Sequence, residues 1–182
     1  MLIDESGLLL APLVRRTLAP RGQTPTIKQR ARQRDKVSVA GALWLTPRRD
    51  RLGLFFQTLV NDHFESEAMA LFLKAVAESL PGPVIAVWDQ GSMHKGDPIR
   101  AVLAEHTQLW LEPLPPYAPE LNPVEGVWRW LKWEKLCNFA PRDVVELEGR
   151  ALAELESIQG NQEQLHSIWH SSDLPLPRKL LS

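Results

Sequence analysis

Hydrophobic and polar positions follow two different periods along this chain. Val37 to Leu45 and Leu52 to Val60 are apolar runs rich in β-branched and aromatic residues, and the polar stretch Thr46-Pro-Arg-Arg-Asp-Arg51 joins them, which predicts a β-hairpin. Leu2-Ile3-Asp4-Glu5-Ser6-Gly7 reads as the end of a short strand and a turn, with Asp4 at the carboxyl end of the apolar part. The three strands then make an antiparallel meander. Phe64, Ala68, Leu71, Phe72, Ala75 and Val76 recur at helical spacing until Pro81-Gly82-Pro83 stops them, which predicts a helix over 64–80. Val84-Ile-Ala-Val-Trp88 is a continuous apolar run, the pattern of a buried central strand, and Asp89 stands where that strand emerges. A short helix over 98–104 and a strand over 108–111 follow. Val144, Leu147, Ala151, Leu155 and Ile158 line one face of a later helix, 162–169 makes a last short one, and 173–182 reads as an irregular tail. Strands first and alternation afterwards predict an α/β fold, a mixed five-stranded sheet flanked by helices. Sites in such sheets gather at the carboxyl ends of strands.

One stretch breaks both periods. Pro115-Pro-Tyr-Ala-Pro-Glu-Leu-Asn-Pro-Val-Glu125 holds four prolines in eleven residues, which forbids a helix or a central strand and stiffens the segment before folding. It ends in helix signals: Asn122 suits an N-cap, Pro123 suits the first helical position, and Val124, Val127, Trp128 and Leu131 repeat at core-facing spacing. Glu125 falls in the first turn. Asn122-x-x-Glu125 is also the spacing of a capping box, and the helix dipole favours an acid there in any protein. A rigid ramp that delivers a carboxylate at a fixed height is equally what a metal site needs.

Composition narrows the class. The chain has 182 residues, 44% of them hydrophobic and 24% charged, enough for one well-packed domain with a terminal appendage. No apolar run reaches the length of a membrane span and no secretory signal is visible, so a cytoplasmic location is expected. Cys137 is the single cysteine, which excludes an internal disulfide and a cysteine-based zinc site and suits a small buried hydrophobe. The net charge of -1 argues against indiscriminate coating of nucleic acid. Locally the balance reverses: Arg15, Arg16, Arg21, Lys28, Arg30, Arg32, Arg34 and Lys36 are opposed between 15 and 36 only by Asp35. That loop is either a solvated surface or a phosphate-binding one beside Asp4. Arg129, Lys132 and Lys135 share the exposed side of the Glu125 helix and fall under the same two readings.

Asp4, Asp89 and Glu125 have matching settings. If the first and fourth strands are neighbours, their carboxylates meet at one edge and the later helix lays its first turn across them. Three like charges together either raise their pKa values or recruit a divalent cation, and hard oxygen ligands point to magnesium or manganese. Two such ions roughly 4 Å apart can activate a water and stabilise the leaving oxygen of an in-line phosphoryl transfer. Asp4 and Asp89 would be the central ligands and Glu125 would complete one ion.

The motifs Ile3-Asp4-Glu5-Ser6-Gly7, Ala19-Pro20-Arg21-Gly22-Gln23-Thr24-Pro25, Val87-Trp88-Asp89 with His94-Lys95, and Leu114-Pro-Pro-Tyr-Ala-Pro-Glu-Leu-Asn-Pro-Val-Glu125 with Trp128 and Lys132 occur in one order. In them the chain resembles the DDE transposases of bacterial insertion sequences, in the mariner-like superfamily of DDE endonucleases. The resemblance implies a ribonuclease H-like catalytic domain over 1–140, with 141–182 as a helical extension and tail of the same domain. It implies that Asp4, Asp89 and Glu125 are the catalytic triad, holding two magnesium or manganese ions to nick transposon ends and join the freed 3′-hydroxyl to target DNA. It further implies a preference for TA targets, double-stranded DNA at transposon ends and target as the partner, and a homodimer in a synapse. Arg21, Arg30, Arg32, Arg34, His94, Lys95, Arg129 and Lys132 become candidate DNA contacts, with His94 also readable as a surface histidine. Two departures stand out. Gln90 replaces the asparagine common after the second aspartate, and the helix-turn-helix reader expected ahead of the first aspartate is encoded separately or missing.

His166 and His170 have the spacing of a helical metal pair but lack the His-Glu-x-x-His signature. His63 and His106 read as structural or exposed. Of the seven tryptophans, Trp130 and Trp133 fall off the Val124 stripe, so one of them is expected at the surface. Two other functions fit the same residues: a ribonuclease H-like nuclease without strand transfer, and an inactive or domesticated interaction module.

Overall fold

The structure is a computed structural model and describes residues 1–27, 35–89, 91 and 96–175. Five strands, β1 (Leu2–Leu9), β2 (Lys36–Leu45), β3 (Leu52–Val60), β4 (Val84–Trp88) and β5 (Leu109–Pro113), form one sheet in the order β3-β2-β1-β4-β5. β1, β2 and β3 pair antiparallel, and β4 runs parallel to both β1 and β5. The helices are α1 (Ser66–Ser79), α2 (Asp97–Glu105), α3 (Val124–Trp130), α4 (Val144–Gln159) and α5 (Gln162–Trp169). α3 continues into a π-helical turn over Leu131–Lys135. Among the described residues no helix is long and apolar enough to cross a membrane.

β1 departs from its expected length. The polar run Asp4-Glu5-Ser6 and Gly7 read as a turn, yet the strand continues to Leu9, paired with β2 from Leu2↔Leu43 to Leu9↔Lys36. Main-chain pairing does not depend on side-chain polarity, and β2 supplies a partner for every residue of β1. What does stop near Asp4 is the parallel pairing with β4, recorded only at Leu2↔Val87. Asp4 therefore sits where β1 leaves β4 behind, although the strand itself runs on.

Alternation along the strands divides the interior into two cores. Ile3, Ala40, Ala42, Ala86 and Trp88 face α1 and α2, where Met69, Phe72, Leu73 and Val76 meet them. Leu2, Leu8, Val37, Val39 and Leu43 face the other way, onto Val127, Trp128 and Leu131 of the α3 segment and onto α4 and α5. Val37 to Leu43 is buried without a break because helices cover both faces of β2. The helices beyond residue 140 belong to the second core: Leu147, Ala151, Leu155 and Ile158 of α4 and Leu165, Ile168 and Trp169 of α5 are all buried there. Asp143 and Asn161 start these two helices by accepting the N–H groups of Glu146 and Gln164 at 2.9 and 3.1 Å.

Candidate active site

α3 is fastened to β1 by three side chains. Asn122 is buried; its Nδ2 donates to the Ile3 carbonyl at 3.1 Å, and its Oδ1 accepts the Val124 N–H at 3.2 Å. Pro123, already helical at φ -65° and ψ -13°, begins the turn that Asn122 caps. Trp128 Nε1 donates to Asp4 Oδ2 at 2.8 Å, and Lys132 Nζ donates to Ser6 Oγ at 2.7 Å. The ramp before α3 closes through a 3-10 turn, Pro119–Leu121, and the Asn122 N–H donates to Pro119 at 2.9 Å. That bond occupies the N–H a capping box would need for the Glu125 carboxylate. Glu125 is exposed, and its side chain makes no hydrogen bond among the described residues.

Asp4 is half-buried and its carboxyl is pushed up to about 7. Burial is the largest cause and the negative charge of Glu125 the next, while the indole hydrogen bond of Trp128 opposes them. Asp4 and Glu125 thus share one electrostatic environment. Asp89 approaches from β4. Leu2 pairs with Val87, two residues before Asp4 on β1 and two before Asp89, which follows the end of β4. Asp89 is exposed, and its Oδ1 accepts the Gly91 N–H at 2.9 Å. Among the described residues no three His, Cys, Asp or Glu side chains converge closely enough to hold an ion together. Glu125 acts on Asp4 through its charge, and Glu5 adds a smaller repulsion. An acid held so far above its ordinary range by burial and by a second acid fits a hard cation with oxygen ligands, which would relieve both causes.

A cleft of about 550 Å³ opens beside Glu125 and is lined by Glu125, Trp128, Arg129, Lys132, Trp133 and Ser171, among others. Arg129 is exposed on this wall. Lys132 is half-buried and spends one N–H on Ser6. Lys135, expected on the same exposed side, turns away: its Nζ lies 3.4 Å from Glu154 and 5.2 Å from the centre of the Trp130 ring. Trp133 is 45% exposed and Trp130 only 5%, so Trp133 is the surface tryptophan of this pair. Arg21 is exposed in the β1–β2 loop. Arg30, Arg32, Arg34, His94 and Lys95 lie outside the described residues. His63 is paired with Asp62 and Glu65, Cys137 is half-buried rather than buried, and His166 is half-buried with His170 exposed. Sequence reasoning missed the roles of Ser6 and Trp128. Trp128 read as part of an apolar stripe and of the motif after Glu125, with no role assigned, and an indole N–H reaching a strand 124 residues away leaves no local signal.

The sheet order and the helices on both faces are those of a ribonuclease H-like domain. The chain belongs to the DDE superfamily endonucleases, whose family profile matches residues 1–147. A search of the curated proteins gave no match. Among solved structures, the fold is similar to that of the Mos1 mariner paired-end complex with Mn, at 14% identity and a TM-score of 0.65 over 93% of this chain and 52% of that one. The Mos1 strand transfer complex aligns at 15% identity and a TM-score of 0.62, over 93% of this chain and 50% of that one. The isolated catalytic domain of the Mos1 mariner transposase aligns at 12% identity and a TM-score of 0.51, covering 96% of this chain and 84% of that one. This chain therefore spans about half the length of the Mos1 chains in the paired-end and strand transfer complexes.

Proposed function

We propose that this chain is the catalytic domain of a DDE transposase, which cuts DNA strands at transposon ends and transfers the freed 3′-hydroxyl to target DNA. The observation that carries the reading is the influence of Glu125 on Asp4, in a strand that pairs with β4 two residues before Asp4 and Asp89. Asp4, Asp89 and Glu125 would hold magnesium or manganese, two ions, which supply activation of the attacking oxygen and stabilisation of the leaving one. The chain's own residues set the geometry. The proline-stiffened ramp and the Asn122 cap fix the height of Glu125, and Trp128 holds Asp4. Arg129 and the free donors of Lys132 line the cleft, where they would take backbone phosphates and orient the strand.

The Mos1 structures are named as paired-end and strand transfer complexes, with Mn in one case, and we extend to this chain the partner they imply. That partner is double-stranded DNA, with two copies of the protein in a synapse. Work on chromosomal DNA would place the protein in the cytoplasm of a bacterial host.

Supercoiled plasmid incubated with the protein and magnesium or manganese tests this reading. Relaxed circles are expected, and Asp4→Asn, Asp89→Asn and Glu125→Gln should each lower the rate at least a hundredfold. Nicking unchanged in all three variants, or independent of added metal, contradicts it. Supplying a pre-cut 3′-hydroxyl end separates transfer from hydrolysis: joined product supports the transposase, and hydrolysis alone leaves a nuclease.

A further inference from the structure

The contact between Trp128 and Asp4 has a geometry that packing alone does not require. Four residues of helix rise about 6 Å and two residues of strand about 6.8 Å, so Trp128 on α3 and Lys132 in the π-helical turn that continues it match Asp4 and Ser6 on β1. Both pairs are joined by hydrogen bonds, at 2.8 and 2.7 Å. The indole ring reaches Asp4 by lying across Gly41, the β2 residue paired with Asp4. A Cβ at position 41 would stand 2.8 Å from Trp128 Cη2, closer than Cβ atoms approach a neighbour, and a tight 3.1 Å from Cζ2, so glycine lets the ring lie at this depth. Trp128 is 3% exposed and sits among Val124, Val127 and Leu131, which leaves its ring one position. Its N–H therefore points at Oδ2 of Asp4 from a fixed direction, and the carboxylate cannot turn freely about its last torsion.

We propose that Trp128, seated on Gly41, is a positioning residue of the metal site: it holds Oδ2 of Asp4 so that the remaining oxygen faces the ion. The inference rests on the metal role proposed for Asp4 and goes beyond it, since the triad itself says nothing about what orients its first member. Groups that orient a ligand in this way change metal affinity when removed, typically by ten- to a hundredfold. Trp128→Phe keeps most of the ring and removes the N–H. Trp130→Phe is the control, because Trp130 is equally buried on the same helix and stacks beneath Lys135 instead of touching Asp4.

Calorimetric titration of manganese into the full chain and its variants tests this, with folding followed by circular dichroism. The wild type should bind, Asp4→Ala should not, Trp128→Phe should bind about tenfold more weakly, and Trp130→Phe should match the wild type. Trp128→Phe binding within twofold of the wild type, or Trp130→Phe weakened as much, overturns the positioning role while leaving Asp4 as a ligand. Binding by Asp4→Ala as tight as by the wild type, or none by the wild type, removes the metal role of Asp4 and this proposal with it. Should Trp128→Phe fail to fold, the wild type decides by nuclear magnetic resonance. The assigned Trp128 indole N–H signal should shift on saturation with magnesium, and an unmoved signal overturns the proposal.

Discussion

Asp4 is the residue on which the site turns, and its surroundings make a prediction without any DNA. The folded chain keeps a proton on this carboxyl up to about pH 7, whereas an unfolded aspartate releases it near pH 4. Between those values the folded state binds more protons, so this group's contribution to stability is present at the acid end and is lost as pH rises from about 4 to about 7. Metal-free thermal melts should therefore show an Asp4-dependent fall in melting temperature over that window. Asp4→Asn, neutral at every pH and still able to accept from Trp128, should flatten the fall, and magnesium should restore stability to the wild type at pH 8. An identical pH slope in Asp4→Asn would mean that burial and Glu125 do not perturb the group. The proximity of Asp4 and Glu125 was legible beforehand, from their positions relative to an apolar run and to the proline ramp. The choice between capping box and free carboxylate at Glu125 was not legible. It turned on a single N–H, that of Asn122, which Pro119 takes.

Periodicity placed the elements well where a single face is buried. β3 and β4 have the expected bounds, and α5 fills the stretch read as a last short helix. β1 was misjudged because three polar residues in a row look like a turn, whereas Asp4, Ser6 and Lys132 are there to tie the strand to α3. The stripe on α4 carries an energetic consequence. Leu155 is fully buried in the core shared by α3, α4 and α5, so Leu155→Ala should cost about 2–5 kcal/mol through lost burial and the cavity left behind. Val145, 70% exposed on the same helix, should change stability by no more than about 0.5 kcal/mol when replaced by alanine. Denaturant midpoints compare the two directly, and equal effects would contradict the assignment of α4 to the core.

Taken as a whole, the molecule is a sheet whose two faces are covered by helices of different origin. α1 and α2 arrive between strands, while α3, α4 and α5 close the other face after the last strand. The fold class followed from element order, but the meeting of β1 with β4 did not, because only a parallel crossover brings residues 2 and 87 together. One part of the sheet keeps an exposed apolar pair, Ile85 and its cross-strand partner Trp110, at 58% and 64% exposure. The central claim is that β1, β4 and α3 converge on a metal site, and crystals soaked in manganese test it most directly. The account predicts an anomalous peak with oxygens of Asp4, Asp89 and Glu125 at about 2.1 Å. A saturated soak with no peak there, or with a peak held by other residues, would contradict it.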